Sequence, residues 1–320
     1  MTDNTGPFSF DICAPDPYRS TNDPLVTCFT KDQLITIIEV YNSDKENSDK
    51  IKYRKNMSIP ELGQLLQKAM SNRCSSEVCY LKTTPMIEYF KTQDNRVKMN
   101  YYERFKPELP TDKGNPNNLR PWLSNTDIRR VMQMIQNISD DFVFLGPLPV
   151  DFEEVINQMV FDICEKKNTF QKMYSRGVRR IGIIINLDRF GQSGSHWVTI
   201  FIDMSHFNSD PDDPWTIEFF DSTGNPPPKR LEKYMNGAKD KLLQIGGDVE
   251  IVINNVTHQK KDTECGVYSL YYIIERLKGR SAQDIFESVV PDDLMYKYRY
   301  RFFRVSVSYT HLTLPTKRIV

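Results

Sequence analysis

Charge of one sign is missing from this sequence: 42 basic side chains stand against 42 acidic ones in 320 residues. No net field draws the chain toward nucleic acid or an anionic surface. Long hydrophobic runs are missing too. No stretch approaches the roughly 18 apolar residues of a membrane span, so no membrane partner is expected. Met1-Thr2-Asp3-Asn4-Thr5-Gly6-Pro7 has neither a basic n-region nor an apolar h-region, so no signal peptide is expected. Cysteine is sparse: Cys13, Cys28, Cys74, Cys79, Cys164 and Cys265. Thiols spread this thinly do not make a disulfide framework, and they suggest a reducing, intracellular setting. Cys74 and Cys79 invite a zinc reading, but zinc takes about four ligands and no second Cys/His pair lies nearby. Two unlinked thiols in a turn, and no metal, are expected there. Histidine is scarcer still, at His196, His206, His258 and His311. Any general base of the imidazole type must come from these positions.

What is present is enough for a large core: 39% apolar and 12% aromatic residues. Residues 1–24, rich in Pro, Asp, Ser and Asn, read as a loose leader. Residues 25–113 read as a helical arm. Thr30 caps an amphipathic run through Tyr41, and Ser58, Pro60 and Glu61 open a second one through Met70. A docking or structural arm is expected, with a looser likeness to small helix–extended–helix DNA-binding units. Lys106 to Asn118 is dense in Pro, Gly and Asn and marks a linker. Residues 114–305 carry strand-like runs at 142–145, 181–187, 197–204, 215–220 and 249–254, each bounded by Gly, Pro, Asn or Asp. Helices are expected from Ser124, from Asp151 through Met159, from Pro228 to Leu243, from Cys265 toward Gly279, and from Ser281 and Pro291. Residues 306–320 continue no element and read as a non-native tail.

The stretch richest in chemistry is Thr257-His258-Gln259-Lys260-Lys261-Asp262-Thr263-Glu264-Cys265-Gly266, followed by an apolar helical run. A polar loop delivers one cysteine to a helix start, where orphan N–H groups and the macrodipole favour an anion. A cysteine nucleophile needs a base, and the base needs an orienting group. His196 starts one strand and Asp221 ends another; if the strands are neighbours, the acid can reach the ring and fix its tautomer. Gln259, six residues before Cys265, could supply an amide donor to an oxyanion hole. Alone, each residue also has a plain structural reading: strand start, turn former, solvated loop. Together they run His, Asp, Gln, Cys at spacings of 25, 38 and 6.

Gly-Ser-His-Trp-Val-Thr-Ile, Trp-Thr-Ile-Glu-Phe-Phe-Asp-Ser-Thr-Gly-Asn and His-Gln-Lys-Lys-Asp-Thr-Glu-Cys-Gly-Val-Tyr resemble the Ulp-type and adenain-type cysteine proteases. The likeness is closest to the SUMO-protease-like, polyprotein-processing enzymes of asfarviruses and other large DNA viruses, and it covers roughly 75–305. It implies an α+β fold: a papain-like protease core with a central mixed sheet flanked by helices, behind a helical N-terminal arm. It implies His196 as general base, Asp221 as its partner, Cys265 as nucleophile and Gln259 in the oxyanion hole. Some relatives place a glutamine three before the cysteine, where this chain has Asp262. Trp197 matches the tryptophan that roofs a narrow substrate tunnel, which implies cleavage after Gly-Gly-type sites. No cofactor is implied. The expected partner is a polypeptide, either a viral polyprotein or a ubiquitin-like protein, and the expected place is the host cytoplasm and the virion. The alternatives are a deconjugase of ubiquitin-like proteins and an inactive binding module. Adenain-type relatives use DNA, and Lys297 to Arg304 interleaves basic and aromatic residues. Tyr296, Tyr300 and Phe303 share a helical face, however, so a packed amphipathic helix is the expectation there.

Overall fold

The computed structural model describes residues 13–14, 27–45, 47, 49–112, 115, 118, 120–155, 169–205 and 213–304. The rest of the leader, the tail 306–320, Cys164, His206, His311, Ile156, Met159 and Lys166-Lys167 lie outside the described residues.

The arm opens with α1 (Lys31–Ser43) and α2 (Ile59–Met70). Each starts on a capping box, Thr30 with Gln33 and Ser58 with Glu61, which satisfies two orphan N–H groups reciprocally. Three shorter helices follow, α3 (Glu77–Tyr80), α4 (Thr84–Lys91) and α5 (Asn95–Tyr102). Apolar residues at helical spacing, Leu34, Ile37 and Ile38 on α1 and Leu62, Leu66 and Met70 on α2, pack with Phe90 around Phe29.

The cysteines depart from expectation. Cys13 is disulfide-bonded to Cys28, and Cys74 to Cys79. Distance along the chain misled; distance in space decides. Cys13 pairs as a bridge with Phe105, and the Arg104 guanidinium donates to the Cys28 carbonyl. This leaves the two Cα atoms 5.2 Å apart, within disulfide reach. The turn between α2 and α3 does the same for Cys74 and Cys79, at 5.5 Å. The start of the Pro-rich segment is also tied down. Leu109 N–H donates to the Arg304 carbonyl (2.8 Å), Arg304 N–H to the Pro107 carbonyl (2.9 Å), and the Arg304 guanidinium pairs with Glu108.

The remaining elements are α6 (Asn125–Gln136), β1 (Phe142–Phe144), β2 (Leu148–Pro149), α7 (Phe152–Val155), α8 (Thr169–Ser175), β3 (Arg180–Asn186), β4 (Trp197–Asp203), β5 (Trp215–Phe220), α9 (Lys229–Leu243), β6 (Val249–Ile253), α10 (Cys265–Leu277), α11 (Ala282–Glu287) and α12 (Asp292–Phe302). The sheet runs β1-β3-β4-β5-β6, with β2 also on β3. The β3–β4 and β4–β5 pairs are antiparallel and the others parallel, the mixed sheet that the resemblance implied.

Alternation along the strands builds two cores. Val198, Ile200 and Ile202 of β4 and Ile217 and Phe219 of β5 face α9. Trp197 and Phe201 of β4 and Phe220 of β5 face α6, α10 and α11. α10 is buried from Cys265 to Arg276, as a helix apolar on every side must be. α12 is the packed amphipathic helix expected, but on another face: Asp292, Met295, Arg299 and Phe302 are buried, Tyr296 and Tyr300 stand only partly covered, and Phe303 is buried just past the helix end. A charge at a core position reads as surface in a sequence, so the tyrosine-bearing face looked like the packed one.

Candidate active site

The β4–β5 register pairs Thr199 with Phe220. His196 immediately precedes β4 and Asp221 immediately follows β5, so the antiparallel pairing delivers both to the same end of the sheet. The side chains meet there: His196 Nε2 lies 2.7 Å from Asp221 Oδ1. Thr223 donates to the same Oδ1 through its N–H (2.8 Å) and its hydroxyl (2.7 Å), and Asn254 Nδ2 holds the Asp221 carbonyl at 2.7 Å. The turn entering β4 needs glycine at Gly194, where φ is +92°. The Asp188 carboxylate fixes that turn, accepting from Gly194 N–H at 3.0 Å and the Ser195 hydroxyl at 2.6 Å.

Cys265 is the second group that acts on the His196 ring. With Nε2 engaged by Asp221, Nδ1 is the nitrogen that serves the thiol. Burial works to lower the His196 pKa, but the hydrogen bonds to Asp221 and Cys265 and the charges of both outweigh it and hold it at about 9. Burial pushes Asp221 up, while the hydrogen bond and charge of His196 and the Thr223 donors more than reverse that, so its carboxyl stays below the usual range. At neutral pH the pair is an imidazolium on a carboxylate.

Cys265 is the first residue of α10, buried, and the one free thiol among the described residues. Glu264 sits at the N-cap position yet makes no side-chain cap. A Cβ on Gly266 would lie 3.1 Å from Leu123 Cβ and 3.2 Å from Trp197 Cδ1, so glycine lets the first turn close against both. Trp197 is buried, and its indole N–H donates to the Leu123 carbonyl at 3.0 Å. Trp122, next in the chain, is 45% exposed. Sequence reasoning passed over Trp122; an aromatic two residues ahead of the Ser124 cap was the available signal.

Gln259 is buried and fixed from several sides. Its N–H donates to the Ser222 carbonyl (2.7 Å), Ser222 Oγ donates to its Oε1 (2.7 Å), and its Nε2 donates to the Lys261 carbonyl. An amide nitrogen carries two hydrogens, so a second N–H remains for another acceptor. Ser222 directly follows Asp221, so one turn holds both the carboxylate and the amide. Asp262 is exposed. The structure thus joins His196, Asp221 and Cys265, sets Trp197 against the first turn of α10, and holds Gln259 in the loop that enters it. Among the described residues, the potential metal-donor group is Cys13, Cys28 and Glu77 in the arm, where the two sulfurs are bonded to each other.

Residues 162–305 match the Ulp1 protease family, C-terminal catalytic domain. The SUMO-1 cysteine protease of African swine fever virus (isolate Pig/Kenya/KEN-50/1950) is 31% identical over 254 residues, covering 77% of this chain and 89% of that protein. The chain belongs to the Ulp1 protease family. The putative thiol protease R355 of Acanthamoeba polyphaga mimivirus is 28% identical over 306 residues, 90% of each chain. The crystal structure of an African swine fever virus protease superposes with a TM-score of 0.63 at 28% identity, covering 93% of this chain and 97% of that one. This Ulp1-family member is therefore a cysteine protease related to viral SUMO-protease-like enzymes, and the likeness spans the helical arm as well as the catalytic core.

Proposed function

We propose that this Ulp1-family protease cleaves polypeptides after Gly-Gly-type sequences and matures the structural polyproteins of a large DNA virus, in the host cytoplasm and the virion. The observation that carries the reading is one half-buried imidazole held 2.7 Å from the Asp221 carboxylate and acted on by the free Cys265 thiol as well. In this reading the Cys265 thiolate attacks the scissile carbonyl carbon. The oxyanion is held by the Cys265 backbone N–H and the second N–H of the Gln259 amide. The His196 imidazolium, still protonated at neutral pH, passes its proton to the leaving amine, and the C–N bond breaks. Neutral His196 then takes a proton from water, which attacks the thioester and frees the acid and Cys265. Trp197 under the α10 turn and half-exposed Trp122 beside it would wall a slot that admits little beyond glycine backbone.

The test is a cleavage profile of the full chain on a peptide library beside its Cys265→Ala twin. Cleavage after Gly-Gly by the wild type alone is expected; turnover by the alanine variant sinks the assignment. A second reading, deconjugation of a SUMO-like protein, is favoured by the name of the African swine fever virus relative. It requires the folded ubiquitin-like body, so matched kcat/KM on Gly-Gly peptides and on SUMO fusions would exclude it. An inactive binding module would fail to react with a Gly-Gly aldehyde probe.

A further inference from the structure

A fully buried ion pair stands one residue before the proposed nucleophile. Glu264 and Arg299 are both 0% exposed. Arg299 Nε donates to Glu264 Oε2 at 2.7 Å, and Arg299 Nη2 donates to the Thr263 carbonyl at 3.2 Å. Nη1 is buried without a hydrogen-bond partner. Stability alone does not account for such a pair, since desolvating two charges is costly and an apolar pair of equal volume serves as well or better. Its location points to another reason. Arg299 lies on α12, and α12 with the turn before it grips the loop entering α10, and the start of α10 itself, at further points. Asp292 accepts from Lys260 N–H (3.0 Å), Asp293 pairs with Lys261 (2.8 Å), and the Val290 carbonyl accepts the Tyr268 hydroxyl (2.7 Å).

We propose that Arg299 is a positioning residue for Cys265; the proposal rests on Cys265 being the nucleophile. Its planar fork holds the side chain of residue 264 and the carbonyl of residue 263 at once, which a lysine ammonium cannot do with the same geometry. That fixes the peptide planes entering α10, hence the direction of the Cys265 N–H toward the oxyanion and of Sγ toward His196. It also holds a carboxylate away. An aspartate at an N-cap position turns back to accept from the first-turn N–H groups, and a glutamate left without a partner there has the reach to do so. Glu264 makes no such cap, and its carboxylate lies on Arg299 instead. Freed, it would compete for those donors and set negative charge beside the thiolate.

The experiment uses the full chain. Arg299→Met, Arg299→Lys and the double variant Glu264→Gln/Arg299→Met are compared for kcat, for KM on one peptide, and for the pH profile of Cys265 alkylation by iodoacetamide. Activity is normalised to the folded fraction from urea unfolding. Arg299→Met is expected to lose about 10²-fold in kcat, the scale of one oxyanion donor, with KM nearly unchanged. Its alkylation profile should move to higher pH, and the double variant should recover at least tenfold in kcat, since the freed carboxylate is gone. Arg299→Lys should fall about tenfold or more; it keeps the cation and the volume, and it decides the question if Arg299→Met does not fold. A loss below tenfold, a loss carried by KM, or an unmoved alkylation profile overturns the proposal. Cys265→Ala separates the two failures: if it is inactive while Arg299→Lys is not impaired, only the positioning role falls.

Discussion

The two ends of α10 each carry a buried arginine–glutamate pair, and they are built differently. At the far end Arg276 is saturated. Its Nε and Nη2 hold both oxygens of Glu218 at 2.8 Å, Nη2 also reaches Asp203 at 2.9 Å, and Nη1 donates to the Arg280 carbonyl. Tyr272 closes the set on Glu218 at 2.7 Å. Alternation explains the meeting: Asp203 on β4 and Glu218 on β5 point to the α10 side of the sheet. At the catalytic end Arg299 grips Glu264 and the Thr263 carbonyl and leaves Nη1 unpaired. A complete network fixes a scaffold. An incomplete one beside a reactive thiol is where a protein departs from full satisfaction for the sake of function.

The sharpest way to break that comparison is to injure the far end. Glu218→Gln leaves the Arg276 charge underpaired in the core, and the unfolding free energy should fall by about 3–5 kcal/mol. Urea unfolding measures it. The kcat per folded molecule should stay within about threefold; a drop like that expected for Arg299→Met would mean that both pairs shape the site and the distinction is void. Next in size is Gln259→Ala, at the catalytic end. It should cost about 10²–10³ in kcat, or about 2.7–4 kcal/mol of transition-state binding. Steady-state kinetics on a Gly-Gly peptide would show it, and a loss under threefold would place the donor elsewhere. Ser222→Ala frees the Gln259 Oε1 anchor and should show the same defect more weakly.

The third test uses pH. His196 is held at about 9. A His raised in the fold contributes stability that is full below its ordinary value of about 6.5 and is lost as pH rises through about 9. The same deprotonation removes the acid for the leaving amine, so kcat/KM should fall on an alkaline limb near pH 9. Asp221→Asn keeps a hydrogen-bond acceptor for the ring but removes the opposite charge, and should bring that limb down by about 1–3 units. It should also cost less rate than His196→Ala. An unmoved limb would assign it to another group.

Much of this was legible in the sequence, for physical reasons. β-branched runs bounded by turn residues mark the central strands, and the cap residues Thr30 and Ser58 mark α1 and α2. The His196–Asp221 contact was conditional on two strands being neighbours, and the antiparallel β4–β5 pairing supplies that. What escaped was charge in the core and proximity in space. Arg299 at helical spacing from Met295 and Phe302 looks like a surface residue until its carboxylate partner, 35 positions earlier, is in place. Cys13 and Cys28 are brought together by a bridge to Phe105 that no local pattern announces.

The smallest expected effect concerns a second incompletely satisfied group on the catalytic side. His258, next to Gln259, is buried; its Nε2 donates to the Phe286 carbonyl at 3.1 Å, and Nδ1 has no partner. Phe220 and Tyr268 pack edge-on against the ring, with centroids at 5.4 and 6.3 Å. Burial lowers its pKa, and the Phe286 carbonyl, which favours the charged form, only partly offsets that. The sign follows. The unfolded chain takes up the proton near pH 6.5 while the folded chain resists it, so the stability present above pH 6.5 is lost as pH falls toward the folded value. Between pH 7.5 and 5.5 this one group should account for a loss of at most about 1.4 kcal/mol. Carboxylates titrate at lower pH, so the difference between wild type and His258→Phe, which keeps the aromatic packing, isolates it. The raised His196 gains stability over the same window and is common to both proteins, so on going from pH 7.5 to 5.5 the urea midpoint should rise for the variant and rise less, or not at all, for the wild type. Parallel slopes would mean that a proton on Nδ1 finds a partner after all, and that among these buried groups only Arg299 sets the catalytic end apart from the saturated one.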